Sequence, residues 1–150
     1  MTKSDTALLA QVEATLLPLV PSLNLKVIDH SESTSFDNAS VTLEGGNLRV
    51  RIVRERSQVF VDLGPVCDPQ SSFDSAVVMD YLGLSEDAGF HNRDADAVLR
   101  GLSSFLRSFS PELSEKFTRA NFEITKAELT RLRNARAAAR LGDANGGGAA

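Results

Sequence analysis

A chain of 150 residues, 42% hydrophobic and 24% charged, is long enough to bury one core without disulfides or metals. The formal net charge of -4 and a pI near 5.2 argue against a general nucleic-acid binder. A lone cysteine (Cys67), no apolar run approaching the ~20 residues of a membrane span, and a start at Met1-Thr2-Lys3-Ser4-Asp5 without a signal peptide's apolar stretch predict a cytoplasmic protein with no membrane association.

In chain order, Leu8, Val12, Leu16 and Leu19 recur at spacings of three and four and predict an amphipathic helix over 5–17. Pro18 and Pro21 are expected to end it. Leu23, Leu25 and Val27 alternate with Asn24 and Lys26, which predicts a strand over 23–29, and the polar stretch 30–35 reads as a loop.

Residues 36–64 read as a meander. Gly45-Gly46 suits a two-residue turn, because both central positions of a primed turn need positive φ. A turn there sets Leu43 opposite Leu48, Val41 opposite Val50 and Ala39 opposite Ile52 on one apolar face. A second turn centred on Glu55-Arg56 sets Ile52 opposite Val59, Val50 opposite Val61 and Leu48 opposite Leu63 on that same face. The other face then carries Ser40, Arg51 and Phe60 in one row and Thr42, Arg49 and Asp62 in the next, with Arg49 facing Asp62.

Beyond the turn-rich connection Asp68-Pro69-Gln70-Ser71-Ser72, a helix carrying Phe73, Val77, Val78, Tyr81 and Leu82 is expected to end at Gly83. Residues 85–93 read as an exposed loop. Asp94 or Asp96 opens a further helix with Ala97, Val98, Leu102, Phe105, Leu106 and Phe109 at helical spacing. Ser110-Pro111-Glu112 reads as a restart, with serine as cap and proline at the first helical position. Phe122 and Ile124 are expected in the core, Thr125 and Glu128 as a capping box, and Gly142 as the end of the last helix.

The sequence carries no recognisable catalytic signature. There is no G-x-S-x-G, and no lysine follows Gly45-Gly46 as a phosphate loop requires. His91, Asp94 and Asp96 come nearest to a metal set, but the two aspartates also suit a helix start, where negative charge is favoured. No metal or cofactor is expected. Charge is segregated along the second half. Lys126, Arg131, Arg133, Arg136 and Arg140 stand against Glu128 alone, while Asp80, Glu86, Asp87, Asp94 and Asp96 stand against Arg93. The basic run either faces water, pairs within the molecule, or forms a partner surface. The polar sheet face is the other candidate surface, since arginine beside an aromatic is a composition favoured at interfaces.

The stretch Leu48-Arg49-Val50-Arg51-Ile52-Val53-Arg54-Glu55-Arg56-Ser57-Gln58-Val59-Phe60-Val61-Asp62-Leu63, followed by Met79-Asp80-Tyr81-Leu82-Gly83-Leu84, resembles small bacterial α+β proteins of the immunity-protein kind found beside polymorphic toxins. That resemblance implies a cytoplasmic inhibitor that binds a toxin by surface complementarity, and it carries over no site residues. The chain is also similar in size, acidity and helix-before-sheet order to type III secretion chaperones, from which it departs by grouping its other helices at the C-terminal end.

The expected fold is therefore α+β: an N-terminal helix, an antiparallel meander sheet of about four strands, then a C-terminal group of about four helices. One domain over 1–142 precedes a disordered tail over 143–150. The expected function is a non-enzymatic protein-binding domain, an immunity-type inhibitor of a bacterial toxin, using Arg49, Arg51, Phe60, Asp62, Arg133 and Arg136. The alternatives are a type III secretion chaperone-like binder and a small ligand-binding or enzymatic domain using the polar sheet face.

Overall fold

The computed structural model describes residues 8–33, 38–84, 91–92 and 94–149. The chain is α+β. A first helix α1 covers residues 8–19, the sheet follows as β1 (Lys26–Ser33), β2 (Asn38–Gly45), β3 (Leu48–Glu55), β4 (Gln58–Pro65) and β5 (Phe73–Asp74), and the helices α2 (Ser75–Tyr81), α3 (Ala95–Lys116) and α4 (Phe122–Ala149) come after it. A two-residue strand β6 (His91–Asn92) precedes α3. Neighbouring strands run β1-β2-β3-β4-β5, all antiparallel, and β6 pairs with β4 beside β5.

Strand alternation places Ala39, Val41, Leu43, Leu48, Val50, Ile52, Val59, Val61 and Leu63 on one buried face. Both hairpin registers differ from the expected ones by two residues. Val41 lies opposite Ile52 and Leu43 opposite Val50, while Val50 also lies opposite Leu63 and Ile52 opposite Val61. The turns are centred one residue later, on Gly46-Asn47 and on Arg56-Ser57, and all four residues have positive φ. Asn47 tolerates that conformation, and its Nδ2 donates to the Ser114 carbonyl at 3.0 Å. Gly45 is instead a strand residue whose role is spatial: a Cβ there would lie 2.4 Å from the Leu23 carbonyl oxygen.

α1 is α-helical over Leu8–Gln11, π-helical over Val12–Leu16 and α-helical again over Leu17–Leu19. Leu8, Val12 and Leu16 are completely buried. Their strict spacing of four would drift by about 40° per step on an α-helix, and the wider π turn holds them on one line. Pro18 does not end the helix, which continues through it to Leu19. The expected strand over 23–29 is displaced. Pro21–Leu23 forms a 3-10 turn, Asn24 is left-handed, and β1 extends to Ser33 through residues expected in a loop. Leu23 and Leu25 are nevertheless buried.

α2 ends before Gly83 as expected, whereas Phe73, expected on this helix, lies in β5 ahead of its cap. Asp74 Oδ1 accepts from the Ala76 N–H at 2.8 Å, and Gly83 at φ +77° closes a Schellman motif in which the Leu84 N–H donates to the Met79 carbonyl at 2.9 Å. α3 is capped by Asp94, which accepts from the Ala97 N–H. It runs unbroken through Pro111, so the expected restart at Ser110 is not there and the C-terminal group holds three helices among the described residues. A proline within a helix costs about 3 kcal/mol. Continuity offsets this by keeping Leu106, Leu113 and the following Phe117 fully buried on one side.

α4 begins at Phe122 rather than near Thr125. Thr118 supplies the turn before it, its hydroxyl accepting from the Asn121 N–H and its carbonyl from the Phe122 N–H. Thr125 therefore makes no capping box with Glu128; its hydroxyl donates to the Lys116 carbonyl at 2.8 Å. The earlier start turns Phe122, Thr125 and Leu129 inward and leaves Ile124 79% exposed, against its expected burial. Nor does Gly142 stop the helix, which continues to Ala149. A glycine costs about 1 kcal/mol inside a helix relative to alanine, and it ends one only when the chain turns left-handed there. No helix among the described residues is long and apolar enough to cross a membrane.

Candidate functional site

The face of the sheet opposite the core presents Asn38, Ser40, Thr42 and Glu44 from β2, Arg49, Arg51, Val53 and Glu55 from β3, and Gln58, Phe60, Asp62 and Gly64 from β4. The corrected registers change its pairs. Arg51, not Arg49, lies opposite Asp62, and Thr42 lies on the other side of Arg51. Arg49 instead lies opposite Glu44, whose Oε2 accepts from its Nε at 2.9 Å and its Nη2 at 2.6 Å. Arg49 Nη1 also donates to the Pro69 carbonyl at 3.3 Å, so this guanidinium ties β3 to the connection before β5.

Asp62 is half-buried between Arg51 and Asp74, its register partners on β3 and β5. Burial pushes its carboxyl up from the usual aspartate value, the Asp74 carboxylate adds to the rise, and Arg51 works against both. The neighbouring row places Val53 beside Phe60, with Ser40 on the far side of Val53 and His91 at the register position beyond Phe60. The face thus has a short apolar centre with the Arg51–Asp62 row on one flank and Glu55 beside Gln58 on the other. An open depression of about 330 Å³ touches Arg51, Val53 and Glu55 and extends over Ser31 and Ser40. Asp62 does not line it.

Arg133 and Arg136 lie elsewhere. Phe73 shares the buried face of Leu63, and the Arg133 guanidinium stacks over its ring at 4.9 Å. Arg136 Nη1 donates to Asp80 Oδ2 at 2.7 Å and clamps α4 onto α2. The basic run and the acidic segment are therefore joined, among the described residues, by the half-buried Arg136–Asp80 pair. Arg131 pairs with Glu128 one turn away, and Lys126 reaches Asp68 at 3.5 Å. The six residues singled out in the sequence form no single site: four lie on the outer face of the sheet and two on the helical side.

A second depression, of about 300 Å³, lies between the 68–73 segment and α4. Lys126 and Arg133, seven residues apart on one side of α4, line it together with Asp68, Gln70, Ser71 and Ser72. Ser71 Oγ donates to Asp68 Oδ2 at 2.7 Å, and that bond, with Lys126 nearby, holds the Asp68 carboxyl below the usual range although burial opposes it. Sequence reading missed this grouping, because nothing in the turn-rich stretch 68–72 points to a helix more than fifty residues away.

Cys67 is half-buried with its Sγ 3.6 Å from the Phe117 carbonyl oxygen. His30 stands on the exposed edge strand β1 opposite Val41. No group of three His, Cys, Asp or Glu side chains suited to a metal ion occurs among the described residues, and Asp94 serves as the α3 cap. Comparison with protein-family models, curated proteins and solved structures finds no match for this chain.

Proposed function

We propose that the protein is a non-enzymatic protein-binding domain, an immunity-type inhibitor of a bacterial toxin acting in the cytoplasm, and that the outer face of the sheet is its docking surface. The observation that carries this reading is the composition of that face: an apolar centre, Val53 and Phe60, flanked by the Arg51–Asp62 row and bordered by Ser40, Glu55 and Gln58. Buried apolar anchors with arginine inside a polar rim are what interfaces concentrate. Strands β1 to β4 are each eight residues long. At about 4.8 Å between strands and 3.3 Å per residue they span roughly 500 Å² in projection, comparable with the ~800 Å² that one partner contributes to a standard interface.

The competing enzymatic reading needs a deep polar pocket over Arg49, Arg51 and Asp62. Arg49 is instead engaged by Glu44, and the depression that touches Arg51 is open and leaves out Asp62. The test is affinity capture from the source cell with the native protein, an Arg51→Glu, Val53→Lys variant and an Arg133→Gln, Arg140→Gln variant, folding being verified by circular dichroism. A stoichiometric partner lost with the sheet-face variant alone supports the proposal. A partner retained by that variant, or the absence of any partner, overturns it.

A further inference from the structure

We infer that the groove between the 68–73 segment and α4 is a binding site for a phosphoryl oxyanion, lined by residues other than those of the outer sheet face. Three observations converge on it. The first is Arg133. It is exposed, its guanidinium carbon lies over the Phe73 ring at 4.9 Å from the centroid, and among the described residues no carboxylate pairs with it. Contact with the ring restrains the guanidinium while leaving its N–H donors to meet an anion, so less side-chain entropy remains to be lost on binding.

The second is the local charge. Lys126 and Arg133 face the groove and Asp68 is the one carboxylate lining it, which leaves one cation in excess. Asp68 is already satisfied by Ser71 Oγ at 2.7 Å and by Lys126 at 3.5 Å, so the excess lies at the Arg133 end. The third is the distribution of donors. The Gln70 amide and the Ser72 hydroxyl belong to the segment wall, and the two cations belong to the helix wall. Donors that approach from opposite walls suit a tetrahedral group with three or more oxygens better than a planar carboxylate with two. A volume of about 300 Å³ accommodates such an anion and a few waters.

The phosphoryl group is either free or carried by an ester, and the experiment separates the two. Amide NMR spectra of the full chain are titrated with inorganic phosphate, with O-phosphoserine and with acetate at constant ionic strength. Saturable shifts confined to residues 70–73 and the 126–133 part of α4 are expected from the phosphoryl probes, with acetate weaker. Arg133→Gln is expected to weaken phosphate binding roughly ten- to hundredfold, the usual loss for a charge-assisted hydrogen bond. Arg140→Gln removes the same charge on the exposed part of α4 and should change affinity less than about twofold, since screening leaves distant surface charges little influence. Tighter binding of inorganic phosphate assigns a free anion and tighter binding of O-phosphoserine an ester; either supports the site. Non-saturable shifts, equal response to acetate, or equal losses in the two arginine variants overturn it.

Discussion

Replacing Gly45 with alanine tests the register on which the outer face depends. If Gly45 and Gly46 formed the turn, both would need positive φ, and alanine at 45 would cost only the strain of a left-handed residue. In the structure Gly45 is a β2 residue paired with Leu48, and its Cβ would meet the Leu23 carbonyl oxygen at 2.4 Å and the Leu25 backbone at 3.1 Å. Ordinary contact begins near 3.4 Å, so two backbone segments must separate by about 1 Å. Forcing an extra carbon into a packed site costs typically 1–3 kcal/mol, with the upper end expected where backbone rather than a side chain must yield.

Alanine also restricts the unfolded chain, which returns about 0.4–1 kcal/mol. The net expectation is a loss of about 2 kcal/mol, or a fall of roughly 4–8 °C in Tm for a domain of this size. Urea unfolding followed by circular dichroism reads it, with Gly83→Ala as the comparison. Gly83 has φ +77° with nothing within 4 Å of an added Cβ, so that variant should lose about 1 kcal/mol from strain alone. A Gly45→Ala protein as stable as its parent, or less affected than Gly83→Ala, refutes the close approach and with it the register.

Asp62→Asn should stabilise the protein at neutral pH, and more so than at pH 3. The folded-state carboxyl sits above its unfolded value, so its contribution is present below the unfolded pKa of about 3.9 and is lost as pH rises through the folded value. Unfolding free energies measured at the two pH values check the sign. Leu129→Ala should cost about 2–5 kcal/mol, because that side chain is completely buried, whereas Leu141→Ala, at 66% exposure, should be neutral within about 0.5 kcal/mol. Paired denaturation curves show whether α4 is anchored only through its first half. Arg136→Ala should cost about 1 kcal/mol, because it breaks a half-buried pair. Hydrogen exchange should then quicken in the C-terminal half of α4 before the sheet, and uniform quickening would count against the clamp.

Much of this architecture is readable in the sequence because it rests on short-range periodicity. Two-residue alternation over 39–63 specifies which side chains of the meander turn inward, and Gly83 marks the end of α2. The candidate surface was only half readable. Arg49, Arg51, Phe60 and Asp62 do share the outer face, but their partners depended on the turns. Moving a two-residue turn by one position shifts the register by two, which preserves every in-or-out assignment while exchanging every cross-strand pair. Hydrophobic pattern is blind to that change, so Arg51 took Asp62 and Arg49 took Glu44.

What the chain determines by itself is thus its class, its strand faces and the helices whose caps lie within a turn of their ends, since each of these depends on neighbours three or four residues away. Tertiary structure decided the rest. Leu23 against Gly45 set the first turn, burial of Leu113 and Phe117 carried α3 through Pro111, and packing of Leu129 turned Ile124 outward. The groove where Arg133 lies over Phe73 joins positions sixty residues apart. Such contacts leave no local trace, because their free energy is gained only when distant segments meet in one core.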